Sequence, residues 1–392
     1  MYKRSIEEQI IEKLNTQKIL LLIWARQVWK TTLLRKYYEQ YKKQFPSFFI
    51  NLENPQYLEL LNNSPTNIFQ LIWPISSYTY LFIDEIQKLH DPSTFLKYLY
   101  DEYHTTLKIV ATWSSAFYMN EKFTDSLAWR KHLLELHSLS LQEYLIFKDL
   151  EELASATSQQ TPLPLLYRDE LLRHINDYIV YGWYPEVVLC KTYKDKKELL
   201  KELTSSYIKK DILDAWLQYQ NQYSILLQLL ASQVWSLVNY SELANQLSGI
   251  TTPTVKDYIF VMRSSFHAAL ITPYYRNKRK ELSKMPKVYF YDTWIRNALL
   301  DSFDPYIQRS SSEKWALLEN FVFKRLLDSH PVESIHFWRD KSWKEVDFII
   351  GSQAWEVKSS VKKQSITKYK LFQERYPDIV FNFIDLEWAV EL

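Results

Sequence analysis

The amino-acid sequence predicts an α/β protein, and three observations carry that expectation. Short apolar runs end at polar clusters, as parallel strands do; the stretches between them follow helical periodicity; and one run closes on an acid pair. The chain opens with MYKRSIEEQIIEKL, an amphipathic helix without the apolar core of a signal peptide. Ile19 to Ile23 then reads as a buried strand, and Thr31 onward as a helix with Leu33 and Leu34 on its apolar face.

Between that strand and helix stands Trp24-Ala25-Arg26-Gln27-Val28-Trp29-Lys30-Thr31-Thr32. With glycine in place of both tryptophans this is G-x-x-x-x-G-K-T, the phosphate-binding loop, in the strand–loop–helix setting that the motif requires. Its glycines let backbone N–H groups wrap phosphates at a helix N-terminus, whose dipole already favours anions. Lys30 is then placed to reach the β- and γ-phosphates of ATP, and the Thr31 hydroxyl to ligate Mg²⁺. As written, either indole fills the phosphate cavity. The expectation is a preserved strand–loop–helix with the indoles in or over it.

Tyr80 to Ile83 is a second strand, ending in Asp84-Glu85. Asp84 is the candidate for the Mg²⁺ shell, and Glu85 for orienting and activating the attacking water. A third strand, Leu107 to Thr112, ends at Trp113-Ser114-Ser115, where a polar group such as Ser114 is placed to sense the γ-phosphate. An acid pair closing a strand is often only a solvated edge. Three such strand ends in this order make a nucleotide site.

The stretch from about Tyr2 to Leu150 resembles the bacterial and archaeal AAA-like ATPases whose C-terminal half is an uncharacterised, nuclease-like domain. RQVWKTTLL, FIDEIQ, ATWSSA and LAWRKHLLELHSLSLQEYL carry the likeness. The resemblance implies glycine at Trp24, Trp29, Trp113 and Trp129, and a role for Arg130 in sensing or completing a nucleotide site. A solvated helix arginine is the plain alternative for Arg130.

Composition agrees with that reading of the tryptophans. There are 3 glycines and 14 tryptophans in 392 residues, where average usage of about 7% gives about 27 glycines. Glycine is the default where φ is positive or backbone meets a ligand, and tryptophan serves neither need. Trp183, Trp294, Trp315 and Trp343 also lie in segments where the resembling family carries glycine, whereas Trp338 fits as tryptophan. One residue type changes in one direction while Lys30 and Asp84 survive. Some bacterial lineages read UGA as glycine, and decoding that codon as tryptophan produces this pattern. An inactivated ATPase and deliberate substitution are the alternatives.

Residues 151–164 are polar, proline-bearing and read as an exposed connection. Residues 166–222 follow helical patterns, and Tyr207, Lys209 and Asp211 read there as a solvated helix face. Residues 224–275 run helix, helix (NYSELANQLS), a Gly249-Ile250 turn, a third helix and the strand ALITPYY, the order of a winged helix. Asn239 or Ser241 caps the second helix, and Thr252 with Pro253 opens the third. Lys256 and Arg263 alone equip that third helix for DNA, which favours a structural or protein-contacting module. RNKRKELSKMPK is a basic run.

The last segment places Glu319 on a helix, Asp347 on a strand, and Glu356-x-Lys358 on the next strand. Alternation sends Glu356 and Lys358 to one face. The arrangement resembles the PD-(D/E)xK nuclease core, which implies Asp347 and Glu356 as Mg²⁺ ligands, Glu319 as a further one, and Lys358 beside the attacking water. The same core also serves as an inactive binding scaffold.

The domain expectation is therefore 1–150 for the AAA-like P-loop domain and 151–222 for a helical connector. A winged-helix-like module over 223–276 and a nuclease-like α/β domain over 277–392 complete it. The fold class is α/β: a P-loop NTPase parallel sheet, a helical connector, a winged helix and a small restriction-endonuclease-like domain. The expected ligands are ATP and Mg²⁺, with DNA, RNA or a protein as partner. The net charge of +2 singles out no polyanion. The lone Cys190 excludes an intrachain disulfide and fits a buried thiol in a reducing compartment. No apolar run is long enough for a membrane span. These features point to the cytoplasm and against a membrane partner.

Overall fold

The apolar runs that begin at Ile19, Tyr80 and Leu107 become strands because both of their faces find cover. A computed structural model describes residues 4–24, 30–72, 78–113, 127–157, 164–215, 217–275, 284–340, 342–361 and 364–386. The chain divides into two compact units, Met1–Ser138 and Leu139–Leu392. In the first, helix α1 (Glu7–Leu14) precedes strands β1 (Ile19–Trp24), β2 (Ser47–Asn51), β3 (Thr79–Asp84), β4 (Leu107–Trp113) and β5 (Lys131–Leu136). All are parallel, in the order β2-β3-β4-β1-β5. β3 and β4 are buried along their whole length, as central parallel strands are.

Helices α2 (Lys30–Tyr41), α3 (Pro55–Asn63) and α4 (Pro92–Tyr103) alternate with these strands. Asn54 and Asp91 cap α3 and α4, each followed by proline in the first turn. Because every strand runs the same way, β1, β3 and β4 deliver Trp24, Asp84 and Trp113 to one edge, where open parallel sheets bind ligands.

The opposite edge is pinned by Lys108, whose side chain is fully buried. Its ammonium donates to the carbonyls of Lys13 at 2.6 Å, Thr16 at 2.6 Å and Lys18 at 2.5 Å. It thus satisfies the open carbonyl end of α1 and the turn into β1 together.

In the second unit, α5 (Leu141–Phe147) starts at a Ser140–Glu143 capping box. The exposed connection expected over 151–164 is instead a helix in its first half. α6 (Glu151–Thr157) buries Leu153 and Ala154, and residues 158–163 lie outside the described ones. Packing makes so short a helix, which its polar sequence does not announce.

Helices α7 (Leu165–Tyr181), α8 (Pro185–Leu189) and α9 (Tyr193–Asp214) follow. On α9, Asp211 is buried against the His267 ring rather than solvated. Gly182 ends α7 at φ +74, where a Cβ would meet Asp292 Oδ1 at 2.4 Å and Trp294 Cβ at 2.6 Å. No other residue fits there.

Next come α10 (Gln220–Ser232), α11 (Tyr240–Gln246) and α12 (Thr252–Ser264), with Gly249 turning at φ +88 between the last two. Asn239 caps α11 as expected, while Thr251, one residue earlier than Thr252, caps α12. Strands β6 (Ala268–Pro273) and β7 (Lys287–Phe290) form an antiparallel hairpin, and Leu237 bridges to Lys287. The boundary expected at 276 therefore falls inside a hairpin.

After α13 (Thr293–Leu299) and α14 (Ser311–Leu327) come β8 (His336–Arg339), β9 (Glu345–Ile350), β10 (Gln353–Val357), α15 (Lys370–Arg375) and β11 (Val380–Ile384). The six strands make one sheet, β11-β10-β9-β8-β6-β7, in which β6 pairs with β8 in parallel. Among the described residues no helix is long and apolar enough to cross a membrane.

Lys108→Met takes the ammonium away from three part-buried carbonyls, of which that of Lys13 keeps the Thr16 hydroxyl and N–H. It should lower the stability of the first unit by about 2–4 kcal/mol, read as a lower urea midpoint, whereas Lys43→Met on the surface should leave it unchanged.

Candidate functional site

The carboxyl edge of the first sheet brings together residues far apart in sequence. Asp84 ends β3, fully buried, and each of its carboxylate oxygens accepts a threonine hydroxyl. Thr31, in the first turn of α2, donates to Oδ2 at 2.7 Å, and Thr112 of β4 donates to Oδ1 at 2.5 Å. Thr112 in turn accepts the Glu85 N–H at 2.8 Å. That bond holds Glu85 in the left-handed region at φ 59, where its carboxylate takes the Gln87 amide. A non-glycine residue in that backbone region is strained, and such strain gathers where a side chain must be aimed.

Thr31, Asp84 and Glu85 thus lie together. Thr32 is exposed on α2. Lys30 opens α2 and Trp24 ends β1, so the expected strand and helix are in place. The side chains of Trp24 and Lys30, together with Ala25, Arg26, Gln27, Val28, Trp29 and Ser114, lie outside the described residues. Thr112 is a site residue that sequence reasoning missed. Its only signal was a hydroxyl at the end of a strand neighbouring the acid pair. The Thr31 hydroxyl and the Asp84 carboxylate are oxygen donors of the hard kind that suits Mg²⁺.

Arg130 is not at this edge. It immediately precedes β5, and its carbonyl accepts the N–H of Ile19, the first residue of β1. That is the amino edge of a parallel sheet, the full length of β1 away from Thr31. Its guanidinium is instead forked onto Asp101, at 2.7 and 3.2 Å, and stacks 4.3 Å from the Trp129 ring. The structure does not bring it to the nucleotide site of its own chain.

A second cluster forms on the sheet of the second unit. β9 and β10 pair antiparallel as far as Trp355↔Phe348. One step further the Asp347 side chain takes over, accepting the Val357 N–H at 2.8 Å. Alternation puts Glu345 on the same face as Asp347, and Glu319 reaches them from α14. One oxygen from each lies within 4.8 Å of the others.

The ammonium of Lys287, fully buried, enters this group. It lies 3.1 Å from Glu319 and 3.6 Å from Asp347, and makes a closer ion pair with Glu345. Tyr289 donates to Glu319 at 2.6 Å, and Arg339 pairs with Glu345. The expected Glu319 and Asp347 do converge. Glu345 and Lys287 went unseen, Lys287 because the basic run before β7 masked a buried cation.

Glu356 and Lys358 pair with each other at 2.6 Å instead of joining this trio. Tyr369 also donates to Glu356 Oε1 at 2.7 Å, while Oε2 is buried without a hydrogen-bond partner. Burial, with Asp347 nearby, pushes the Glu356 carboxyl up to about 8. Burial pushes Glu319 up to about 7, against the pull of Lys287. Burial opposes the charge on Lys287, yet Glu319, Asp347 and Glu345 hold it above its ordinary range.

Residues 16–145 match the family model of the AAA domain, on a sheet of five parallel strands. Residues 172–306 match a domain of unknown function, DUF8612, and residues 315–385 another, DUF4143. An uncharacterised protein of Methanocaldococcus jannaschii is 24% identical over 377 residues, spanning 93% of this chain and 81% of that one. An uncharacterised protein of Haemophilus influenzae is 25% identical over 332 residues, 82% of this chain and 77% of that one. Among solved structures, AMPPCP-bound DnaA of Aquifex aeolicus aligns with 65% of this chain and 86% of that chain, at 15% identity and a TM-score of 0.31.

Carboxyls whose folded pKa is raised above the unfolded value contribute stability that is full below about pH 4.5 and lost as pH rises through the folded value. For Glu319 and Glu356 that window closes near pH 7 and 8. The unfolding midpoint should therefore fall between pH 5 and 8.5, and Glu356→Gln should flatten the fall. An equal slope in wild type and variant would show that Glu356 is charged in both folded and unfolded chains.

Proposed function

We propose that this chain binds ATP with Mg²⁺ and hydrolyses it, coupling nucleotide state to a nucleic-acid or protein partner. The observation that carries the reading is the hydroxyl of Thr31 on the carboxylate of Asp84, with the buried Glu85 next to them at one end of a parallel sheet. Mg²⁺ supplies a positive charge that draws the phosphates of ATP into place. Thr31 and Asp84 would hold that ion, Lys30 would face the β- and γ-phosphates, and Glu85 would orient water. The match of residues 16–145 to the AAA domain supports the same assignment.

The reading requires glycine at positions 24 and 29 in the cellular protein. Backbone geometry elsewhere supports a general exchange of glycine for tryptophan. Trp129, Trp235 and Trp343 have φ of 56, 68 and 64, and Trp129 and Trp343 are 68% and 75% exposed. Bulky residues rarely adopt that region, whereas glycine does so freely. Trp113, Trp183 and Trp294 are fully buried and argue less. Decoding of UGA as tryptophan, where the source organism reads glycine, accounts for the pattern. If positions 24 and 29 are truly tryptophan, the chain is a nucleotide-insensitive binding protein.

The hairpin β6–β7 with the Leu237 bridge, behind α10, α11 and α12, supports the winged-helix reading of the middle segment. The exposed positions of α12 include Lys256, Asp257 and Arg263. So little positive charge favours a protein contact over a DNA-reading helix. The β9–β10 hairpin with Glu319 behind it supports a nuclease-like scaffold for the last segment.

Mass spectrometry of the native peptide spanning Ile23 to Lys30 should return glycine masses at both positions; tryptophan masses would end the recoding idea. The double variant Trp24→Gly with Trp29→Gly should bind ATP·Mg²⁺ and turn it over slowly. In that background Lys30→Ala should abolish binding. Glu85→Gln should keep binding and lose turnover by a hundredfold or more. Normal turnover by Glu85→Gln would remove Glu85 from its role. Arg130→Ala in the same background should change affinity less than twofold.

A further inference from the structure

We propose that Lys287 is the built-in cation of the carboxylate cluster of Glu319, Glu345 and Asp347, and that it keeps divalent metal ions out of it. Oxygen donors this close together suit Mg²⁺ or Mn²⁺, whose ligands sit at about 2.1 Å. Here the space among them already holds an ammonium, 3.1 Å from Glu319, 3.6 Å from Asp347 and closer still to Glu345. A second cation in that space would be repelled at short range in a low-dielectric interior.

The lysine has no easy way out. Its side chain is fully buried, its Nζ lies 5.5 Å from the Phe337 ring, and its backbone is paired on both sides, with Ile271 and with Leu237. Withdrawing the ammonium means unzipping β7.

The charges come from separate parts of the chain. Lys287 lies within residues 172–306, matched by one domain model, and the three acids lie within residues 315–385, matched by another. The ammonium therefore locks the hairpin of one segment onto the acids of the other. Separating them would leave two buried carboxylates, Glu319 and Asp347, beside the half-buried Glu345 that pairs with Arg339. On the next strand, Glu356 Oε1 accepts from Lys358 and Tyr369, and Glu356 is not among the acids whose oxygens all lie within 4.8 Å of one another. With its cation built in, the C-terminal sheet is a scaffold that does not cleave phosphodiesters by metal catalysis.

Mn²⁺ titrated into the nucleotide-free full chain and followed by electron paramagnetic resonance tests this. Wild type should show no Mn²⁺ binding that Asp347→Asn removes. Lys287→Met should gain one equivalent, with at least tenfold higher affinity than wild type, and Lys287→Met with Asp347→Asn should lose it. An Asp347-dependent Mn²⁺ site in wild type overturns the proposal, as does a folded Lys287→Met that binds none. If Lys287→Met folds only in the presence of Mn²⁺, and the double variant gains nothing from the ion, the proposal stands. If Mn²⁺ fails to restore an unfolded Lys287→Met, the proposal falls.

Discussion

A carboxylate taken out of water must be given a donor for its oxygens, and that requirement organises both units of this chain. Asp84 receives two hydroxyls, from Thr31 and Thr112, and meeting its needs draws the start of α2 and the end of β4 onto the end of β3. In the second unit, Asp347 takes a backbone N–H from the neighbouring strand, while Glu319 takes a phenol and an ammonium. The two clusters solve the problem differently. Around Asp84 the donors among the described residues are two neutral hydroxyls. Around Glu319 and Asp347 the donor is itself a cation, so much of the charge is already cancelled.

β1 and β3 of the first unit were legible because each is a nearly continuous apolar run, readable without knowing its neighbours, whereas β2 (SFFIN) and the half-exposed β5 (KHLLEL) were not expected. The run from Ile19 and the one ending at Asp84 became β1 and β3, and the polar groups expected at their ends lie at one edge. Arg130 lies at the other edge of the sheet for a reason of direction. A motif read along the chain does not say which end of a parallel strand a residue occupies, and Arg130 sits before β5, not after it. Thr112 escaped because a hydroxyl inside a buried strand looks like any β-former until its neighbour is known.

The second unit hid more. Residues 151–157 lack an apolar stripe, and only packing makes them helical. Lys287 ends a basic run, and basic runs are ordinarily solvated, so nothing local marks this lysine as one that points inward. Its partners are 32 to 60 residues further along, and sequence periodicity carries no information at that range. The acids of β9 and α14 were found because carboxylates on apolar strands stand out. The cation was not. The tryptophans divide in a comparable way: Trp129, Trp235 and Trp343 stand out by their positive φ, whereas Trp183, stacked 3.9 Å from Tyr178, looks like any core aromatic.

The parallel pairing of β6 with β8 makes one sheet of two sequence families, and this bears on how the protein can be cut. A fragment ending near residue 306 keeps β6 and β7 but bares the side of β6 that β8 should cover. A fragment starting near 315 bares β8 in the same way. Unpaired strand edges recruit other strands, so each piece, soluble-looking by composition, would carry an adhesive border. The natural unit for expression and crystallisation is the whole of Leu139–Leu392. The boundary between the two matched segments runs through one sheet, and the sheet marks the unit of folding.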